Sequence, residues 1–461
     1  MTVAAHVFRE YDIRGIVGKD LSSELAHGVG RAYGSALREA LLEEEELPRT
    51  PVVVVGADNR PSSFQLREAL VGGLSDAGVD SIVLGTVPTP VAYWAEKELG
   101  ADGAIQITGS HNPPEWNGIK MTMLGRPFYG NAITALRERI LADDVQSGTG
   151  SRHDIDVLDR YVEDLAGRFE ITRPVRMVVD CGNGTGSVVA VRLLESVGIS
   201  VTPLFCESDG TFPNHHPDPS VDENLAELIR VVRESNAEVG VAFDGDADRI
   251  GVVDEEGSVL RGDILLLLFG LDLLSRRGPG QLLIHDVKCS QLVSELFEQS
   301  GGRTLMWKTG HSLIKEKMLE TGAPLGGELS GHICFADEFI GSDDALYAAC
   351  RLARMLAESD VPLSRMTEDF PAYVSTPEIR IAVTEESKTE IVEQAAEHFG
   401  ALHDVIDVDG VRVLFPGGWA LLRASNTQPV LVVRIEAEDQ HTLSGISDEV
   451  MEWLGGQGIH A

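Results

Sequence analysis

Three aspartates alternate along Asp244-Gly-Asp-Ala-Asp-Arg249, between two short apolar runs. Carboxylates this close repel one another unless a hard cation neutralises them, and an all-oxygen set calls for Mg²⁺ or Ca²⁺ rather than zinc. An EF-hand would need glycine at the sixth loop position, where Arg249 stands, and helices on its flanks. An aspartyl nucleophile after a strand is the other rival, but such a motif opens its domain and this one closes one. The bland reading is a solvated acidic turn.

A second stretch, Thr108-Gly-Ser-His-Asn-Pro-Pro-Glu-Trp-Asn-Gly-Ile-Lys120, sets Ser110 beside His111 and then stiffens the backbone with two prolines. The strand-like run 103–108 puts Ser110 on a loop at a strand's C-terminal end, where open α/β sheets collect ligands. The G-x-S-x-G elbow of α/β-hydrolases is missing, and side chains adjacent in sequence are not expected to form a nucleophile–base pair. Esterase or protease chemistry is therefore not expected, and alone the stretch reads more often as a turn than as a site.

Three further clusters are polar. Gly327-Glu-Leu-Ser-Gly-His332 could receive sugar hydroxyls on Glu328 and Ser330, or be a polar turn. Arg423-Ala-Ser-Asn-Thr-Gln-Pro429, with Arg434 in the following strand, combines a guanidinium, hydroxyls and loop amides, an inventory that suits phosphate. Cys181-Gly-Asn-Gly-Thr-Gly-Ser187 invites a dinucleotide reading, but Ser187 replaces the third glycine, and close helix–strand packing explains the others. Lys288, Lys308 and His311 stand out where lysine is scarce; each alone reads as a surface residue.

Elements must hold these loops. Residues 51–63, 175–187 and 281–292 share one plan: an apolar run without alternation, an aspartate, a polar loop and a helical pattern. Such runs are strands buried on both faces, as in parallel sheets. The helical patterns at 64–77 and 188–197 end near Gly78 and Gly198. After Phe370-Pro371 the order becomes strand, a helix near 385–399 and several strands, an α+β module. The expected domains are 1–150, 151–255, 256–369 and 370–461.

With 461 residues, 43% of them hydrophobic, the chain can bury several cores. Seventy-three acidic against 38 basic residues give a net charge of −35, which repels nucleic acid and anionic lipid. The excess is spread along the chain, consistent with a solvated acidic surface or adaptation to high salt. Cys181, Cys206, Cys289, Cys334 and Cys350 are odd in number, widely spaced and outside any C-x-x-C, so neither a disulfide framework nor zinc is expected. The N-terminus MTVAAHVFREYDIRG carries charge where a signal peptide needs an apolar run, and the apolar run 264–274 is too short to span a bilayer. A soluble, cytoplasmic protein is expected.

Taken in chain order, TGSHNPPEWNGIK, DGDADR, GELSGH and RASNTQP resemble the motifs of the α-D-phosphohexomutase family, in its phosphomannomutase/phosphoglucomutase branch. FREYDIRG, DGTFPNHHPDP, DVKCS and WKTGHS add to a likeness that covers nearly the whole chain. The resemblance implies three related α/β domains with mixed sheets and a smaller C-terminal α+β domain around a central cleft. It implies a phosphoserine at Ser110 that exchanges its phosphoryl group with a hexose phosphate through a bound hexose 1,6-bisphosphate. It implies Mg²⁺ on Asp244, Asp246, Asp248 and a Ser110 phosphoryl oxygen. Lys120 would be the proton carrier if nearby positive charge lowers its pKa, with Arg249 beside the transferring group and His111 positioning the phosphoserine. Glu328 and Ser330 would bind sugar hydroxyls, and Arg423, Ser425, Asn426 and Thr427 the phosphate that is not reacting. Tyr11, Arg14, Lys288, His311 and His332 would line the cleft. The GELSGH form goes with glucose or mannose; glucosamine-specific relatives carry Ser-Gly-Thr where Ser425-Asn426-Thr427 stands, and Gln428 departs from the pattern. A phosphoglucosamine mutase, a sugar-phosphate phosphatase and a non-catalytic sugar-phosphate binder are the alternatives. The expected partners are small phosphosugars, on a monomer or dimer.

Overall fold

Each buried apolar run forms a strand, and the computed structural model describes residues 3–43, 49–426 and 428–459. In the first sheet the strands lie in the order Ile13–Ile16, Trp116–Met123, Gly103–Ile107, Val52–Ala57, Asp80–Thr86, Arg152–Asp154, with Arg126–Pro127 paired to Trp116–Met123. Val52–Ala57 runs parallel to both neighbours, whereas Gly103–Ile107 meets Trp116–Met123 antiparallel with Gln106 opposite Lys120. This sheet is therefore mixed. Its helices Ser23–Glu43 and Ser63–Asp76 pack very closely: a Cβ on Gly30 would stand 2.2 Å from the Leu70 carbonyl oxygen.

The second sheet runs Val259–Leu260, Ile250–Asp254, Val239–Phe243, Arg176–Asp180, Ser200–Leu204, and the third Arg303–Trp307, Leu282–Asp286, Leu325–Gly327, Ile333–Phe335. Both repeat the first plan, parallel strands ending in an antiparallel hairpin. Two strands fall outside the expected boundaries. Arg152–Asp154 adds in parallel to Asp80–Thr86, so the first sheet extends past residue 150. Val259–Leu260 pairs with Ile250–Asp254, so the second extends past 255.

The fourth sheet is antiparallel, in the order Val374–Ser375, Val430–Ala437, Gly418–Ala424, Val411–Phe415, Asp404–Ile406, with Ile379–Ala382 also on Val430–Ala437. Glu385–Gly400 covers it, as does Gln440–Gly456, a helix the sequence reading had not set apart. Trp94, Tyr161, Val179, Phe243, Phe269, Phe335 and Tyr347 belong to one continuous core, so the first three units form one body. The fourth has its own core and meets the third through Trp419 and Leu421 against Val287. Among the described residues no helix is long and apolar enough to cross a membrane.

Candidate active site

Asp58, Ser110, Asp244, Val287 and Glu328 each follow the last residues of a strand: Val52–Ala57, Gly103–Ile107, Val239–Phe243, Leu282–Asp286 and Leu325–Gly327. Strand direction alone thus gathers loops from three sheets.

The 108–115 loop is clamped by Arg60, whose buried guanidinium donates to the carbonyls of Ser110 (2.7 Å), Asn112 (2.6 Å), Pro113 (2.6 Å) and Trp116 (3.1 Å). Asp58 holds that guanidinium at 3.1 Å and accepts the Gly109 N–H at 3.0 Å. Ser110 sits in the left-handed region, φ 49°, a conformation that costs a non-glycine residue and persists only where its surroundings fix it. Its N–H donates to Thr108 Oγ1 at 2.8 Å and its Oγ donates to Asp244 Oδ2 at 2.9 Å. The turned backbone also brings Ser110 Oγ within 3.1 Å of His111 Nδ1. The two side chains do meet, a correction to the expectation from adjacency. Burial, then Arg249 and Arg14, holds His111 well below the ordinary imidazole range, so it is neutral.

Asp244, Asp246 and Asp248 are fully buried, on the loop that closes the antiparallel pair Val239–Phe243 and Ile250–Asp254. Lys120 reaches them from Trp116–Met123: Nζ donates to Asp246 Oδ2 at 2.8 Å and to Asp248 Oδ2. Thr89 Oγ1 donates to Asp246 as well. Burial and the neighbouring Asp246 and Asp248 push the Asp244 carboxyl well up. Burial would also raise Asp246, but the Lys120 charge and hydrogen bond hold it far below the usual range. Burial would lower Lys120, yet Asp246 and Asp248 overcome that and hold its ammonium well above its ordinary value. The lowering expected of a proton carrier is not found with these partners; Lys120 stands as a cation between two carboxylates.

A metal fits this set. Asp246 Oδ1 and Asp248 Oδ1 are buried without a hydrogen-bond partner, and one oxygen from each of the three aspartates lies within 4.8 Å of the others. Three carboxylates against one ammonium leave negative charge that an oxygen-seeking cation would neutralise.

Arg249 Nε donates to His332 Nε2 at 2.9 Å, and His332 Nδ1 lies 3.1 Å from the Asp248 carbonyl oxygen. An acceptor Nε2 places a ring proton on Nδ1, toward that carbonyl. His332 stacks on His311 at 5.0 Å between centroids. Asp343 Oδ2 lies 3.0 Å from His311 Nδ1 and 3.2 Å from His332 Nδ1, and Lys315 donates to Asp343 Oδ1 at 2.7 Å. Burial, then the Lys315 charge, pulls His311 down to about 4. Glu328 is buried and accepts the Gly310 N–H at 2.7 Å; Ser330, two residues on, is half-buried.

Across the opening, Tyr11 ties domains together. Its hydroxyl donates to the Thr309 carbonyl at 2.6 Å and accepts from Asn426 Nδ2 at 2.6 Å. Arg14 donates to Asn112 Oδ1 at 2.6 Å. Arg423 Nε donates to Asp409 Oδ2 at 2.6 Å, and Lys288 to Glu378 at 3.2 Å. Ser425 is buried beside them, its carbonyl accepting from Lys388 at 2.7 Å; Thr427 lies outside the described residues. Arg434, paired across the strands with Leu421, reaches the joint between the third and fourth domains, 4.0 Å from Asp263 and beside the Trp419 ring. Residues that the sequence reading missed are Asp58, Arg60, Thr89, Lys315 and Asp343. Only Asp58 and Arg60, inside the quoted 51–63 run, carried a signal there: a strand end with an acid and a base.

Four family models match in order: phosphoglucomutase/phosphomannomutase alpha/beta/alpha domain I at residues 5–146, domain II at 159–257, domain III at 261–373 and the C-terminal domain at 378–452. A phosphomannomutase/phosphoglucomutase of Pseudomonas aeruginosa is 47% identical over 96% of this chain and 94% of its own length. A phosphoglucomutase of Neisseria gonorrhoeae is 41% identical over 97% of this chain and 96% of its own. The crystal structure of a phosphoglucomutase/phosphomannomutase family protein from Burkholderia thailandensis superposes with a TM-score of 0.91 at 41% identity, covering 99% of this chain and 98% of that one. With four domain models in register and relatives this similar from end to end, the chain belongs to the phosphoglucomutase/phosphomannomutase branch of the α-D-phosphohexomutase family.

Proposed function

We propose that the protein interconverts hexose 1-phosphate and hexose 6-phosphate, of glucose, mannose or both, with Ser110 as phosphoryl carrier and a hexose 1,6-bisphosphate as bound intermediate. The observation that carries this reading is the 2.9 Å hydrogen bond from Ser110 Oγ to Asp244, in a loop where Asp246 and Asp248 keep unpartnered oxygens. A hydroxyl poised against a cation cradle suits phosphoryl transfer, which demands positioning and charge neutralisation above all.

In the forward direction the phosphoserine's P–O bond breaks as a new bond forms from phosphorus to the sugar hydroxyl. The bisphosphate then turns over in the cleft, and its other phosphate returns to Ser110. Mg²⁺ held by Asp244, Asp246, Asp248 and a Ser110 phosphoryl oxygen would neutralise charge on the transferring group. The Arg60 clamp keeps Ser110 still, which is what in-line transfer needs. Arg249 and Lys120 contribute positive charge, and a cation that neutralised Asp246 and Asp248 would remove what holds the Lys120 pKa up, so that its ammonium can give a proton to the departing serine oxygen. Neutral His111 donates to or accepts from Ser110 Oγ according to its tautomer. With Gly310 fixing one Glu328 oxygen, the other is left for a sugar hydroxyl beside Ser330. Arg423, Ser425, Asn426 and Thr427 hold the non-reacting phosphate, with Tyr11, Arg14, Lys288, His311 and His332 lining the same cleft. These basic groups let a chain of net charge −35 hold a bisphosphate.

Ser110→Ala is expected to lower kcat on glucose and mannose 1-phosphates by on the order of 10⁴-fold or more. Full activity in that variant would remove Ser110 from the reaction. Steady release of inorganic phosphate by the wild type would make it a phosphatase, and the highest kcat/KM on glucosamine phosphate would make it a phosphoglucosamine mutase.

A further inference from the structure

Cys181 and Cys206 stand at the C-terminal ends of the neighbouring parallel strands Arg176–Asp180 and Ser200–Leu204, in the second domain. The Cys181 N–H donates to the Leu204 carbonyl at 3.1 Å, so the two loop roots are stitched side by side. Phe205, just before Cys206, has φ 48°, and this left-handed residue folds the next side chain back over the strand it has left. Cys206 Sγ accordingly lies 3.3 Å from the carbonyl oxygens of Val179 and Leu204, and 3.1 Å from Cys181 Sγ. Closing that gap to a disulfide, about 2.05 Å, needs a shift of roughly 1 Å. Cys181 is fully buried, whereas Cys206 is half-buried, with part of its surface open to solvent. The other three cysteines are buried, and among the described residues none of them pairs with another cysteine.

We propose that Cys181 and Cys206 form a redox modification site, oxidised by a hydroperoxide to an intramolecular disulfide that slows the enzyme reversibly. The half-buried Cys206 reacts first. With hydrogen peroxide as the oxidant, its thiolate sulfur attacks one peroxide oxygen and becomes a sulfenic acid as the O–O bond breaks, and the hydroxide that leaves takes up the proton the thiol gave up and departs as water. The Cys181 sulfur then attacks the sulfenic sulfur, the S–O bond breaks and a second water departs. Two thiols lose two electrons and two protons in all, and one hydroperoxide takes them up. The contact with Cys206, then burial, holds the Cys181 thiol well up, while the contact with Cys181 lowers Cys206, which agrees with this order.

The consequence follows from what the two loops support. Asn183, two residues past Cys181, accepts on its carbonyl from Asn59 Nδ2 at 2.7 Å, next to the Arg60 clamp. Thr185 N–H donates to the Gly245 carbonyl, inside the aspartate loop, at 2.8 Å. Past Cys206, a Cβ on Gly210 would stand 2.3 Å from the Asn59 carbonyl oxygen, so that loop also lies directly on the clamp. A shift of their roots is carried to both Ser110 and the three aspartates.

The proposal goes beyond the mutase reading, and only its activity arm rests on it. Wild type and Cys206→Ser are treated with hydrogen peroxide under native conditions, then compared by non-reducing peptide mass mapping and by turnover on hexose 1-phosphate. The expected result is a Cys181–Cys206 linkage in the wild type alone, with kcat reduced about tenfold or more and restored by dithiothreitol. Cys206→Ser keeps its activity through the same treatment. Sulfinic acid on Cys206 without linkage, linkage without loss of kcat, or equal losses in both proteins would each overturn the proposal. Because the mapping needs no turnover, a linkage in a protein that lacks mutase activity would count against the mutase reading and leave the thiol pair standing.

Discussion

Lys120 is a residue whose role depends on what surrounds it. Its ammonium is the buried counter-ion of the equally buried Asp246 and Asp248. Removing one partner of a buried charge set strands the others, at a cost of about 3 kcal/mol or more. Lys120→Met is therefore expected to lower the urea unfolding midpoint markedly in EDTA, with part of the loss recovered in millimolar Mg²⁺. Equal losses with and without Mg²⁺ would mean that the aspartates hold no cation. Residue types in the sequence pointed to Ser110, the aspartates and Glu328, since each sits in a motif where few chemistries fit. Partners were less legible. That Ser110 and His111 touch depends on a φ of 49°, and that Asp343 joins His311, His332 and Lys315 depends on the packing of three separate segments. Neither fact has a local signature. The carboxylates around Lys120 lacked a local signature for the same reason, since they lie more than a hundred residues away in the chain.

At the scale of elements, the parallel strands were legible because buried parallel strands are continuous apolar runs, and such runs precede Asp58, Cys181 and Val287, whereas their order in each sheet was not. The boundaries were less legible: Arg152–Asp154 is an exposed edge strand without an apolar run, and joins its sheet by backbone pairing and an Arg152–Glu68 ion pair. The strand Leu282–Asp286 also carries a test. His285 is fully buried on it, with Nε2 3.0 Å from Ser294 Oγ and Nδ1 3.1 Å from the Asp286 carbonyl oxygen. Burial is the first cause that takes its pKa from 6.5 down to about 4. The unfolded chain therefore takes up a proton that the folded chain refuses across that interval. The stability from a neutral His285 is complete above pH 6.5 and is lost as pH falls toward 4, at up to about 1.4 kcal/mol per pH unit. His285→Gln should flatten the fall in urea midpoint between pH 6.5 and 4.5; an unchanged slope would show that this imidazole already titrates in the folded state.

For the whole molecule, charge and cleft pull in opposite directions. Thirty-eight basic residues cannot neutralise 73 acidic ones, so the surface repels itself even as Lys120, Arg249 and Arg423 turn inward. Screening shortens the reach of that repulsion from about 10 Å at 0.1 M salt to about 3 Å at 1 M. The melting temperature is expected to rise by roughly 5 °C or more between 0.1 and 2 M KCl, and a flat curve would sink the idea of high-salt adaptation. The central claim concerns one bond. Intact and peptide mass spectrometry of the purified chain, before and after incubation with glucose 1,6-bisphosphate and Mg²⁺, reads it directly. The account predicts one phosphoryl group per chain, on Ser110, whose occupancy rises with the bisphosphate and falls when hexose 1-phosphate is added. A chain that stays unmodified, or takes the phosphoryl group on any other residue, would contradict it.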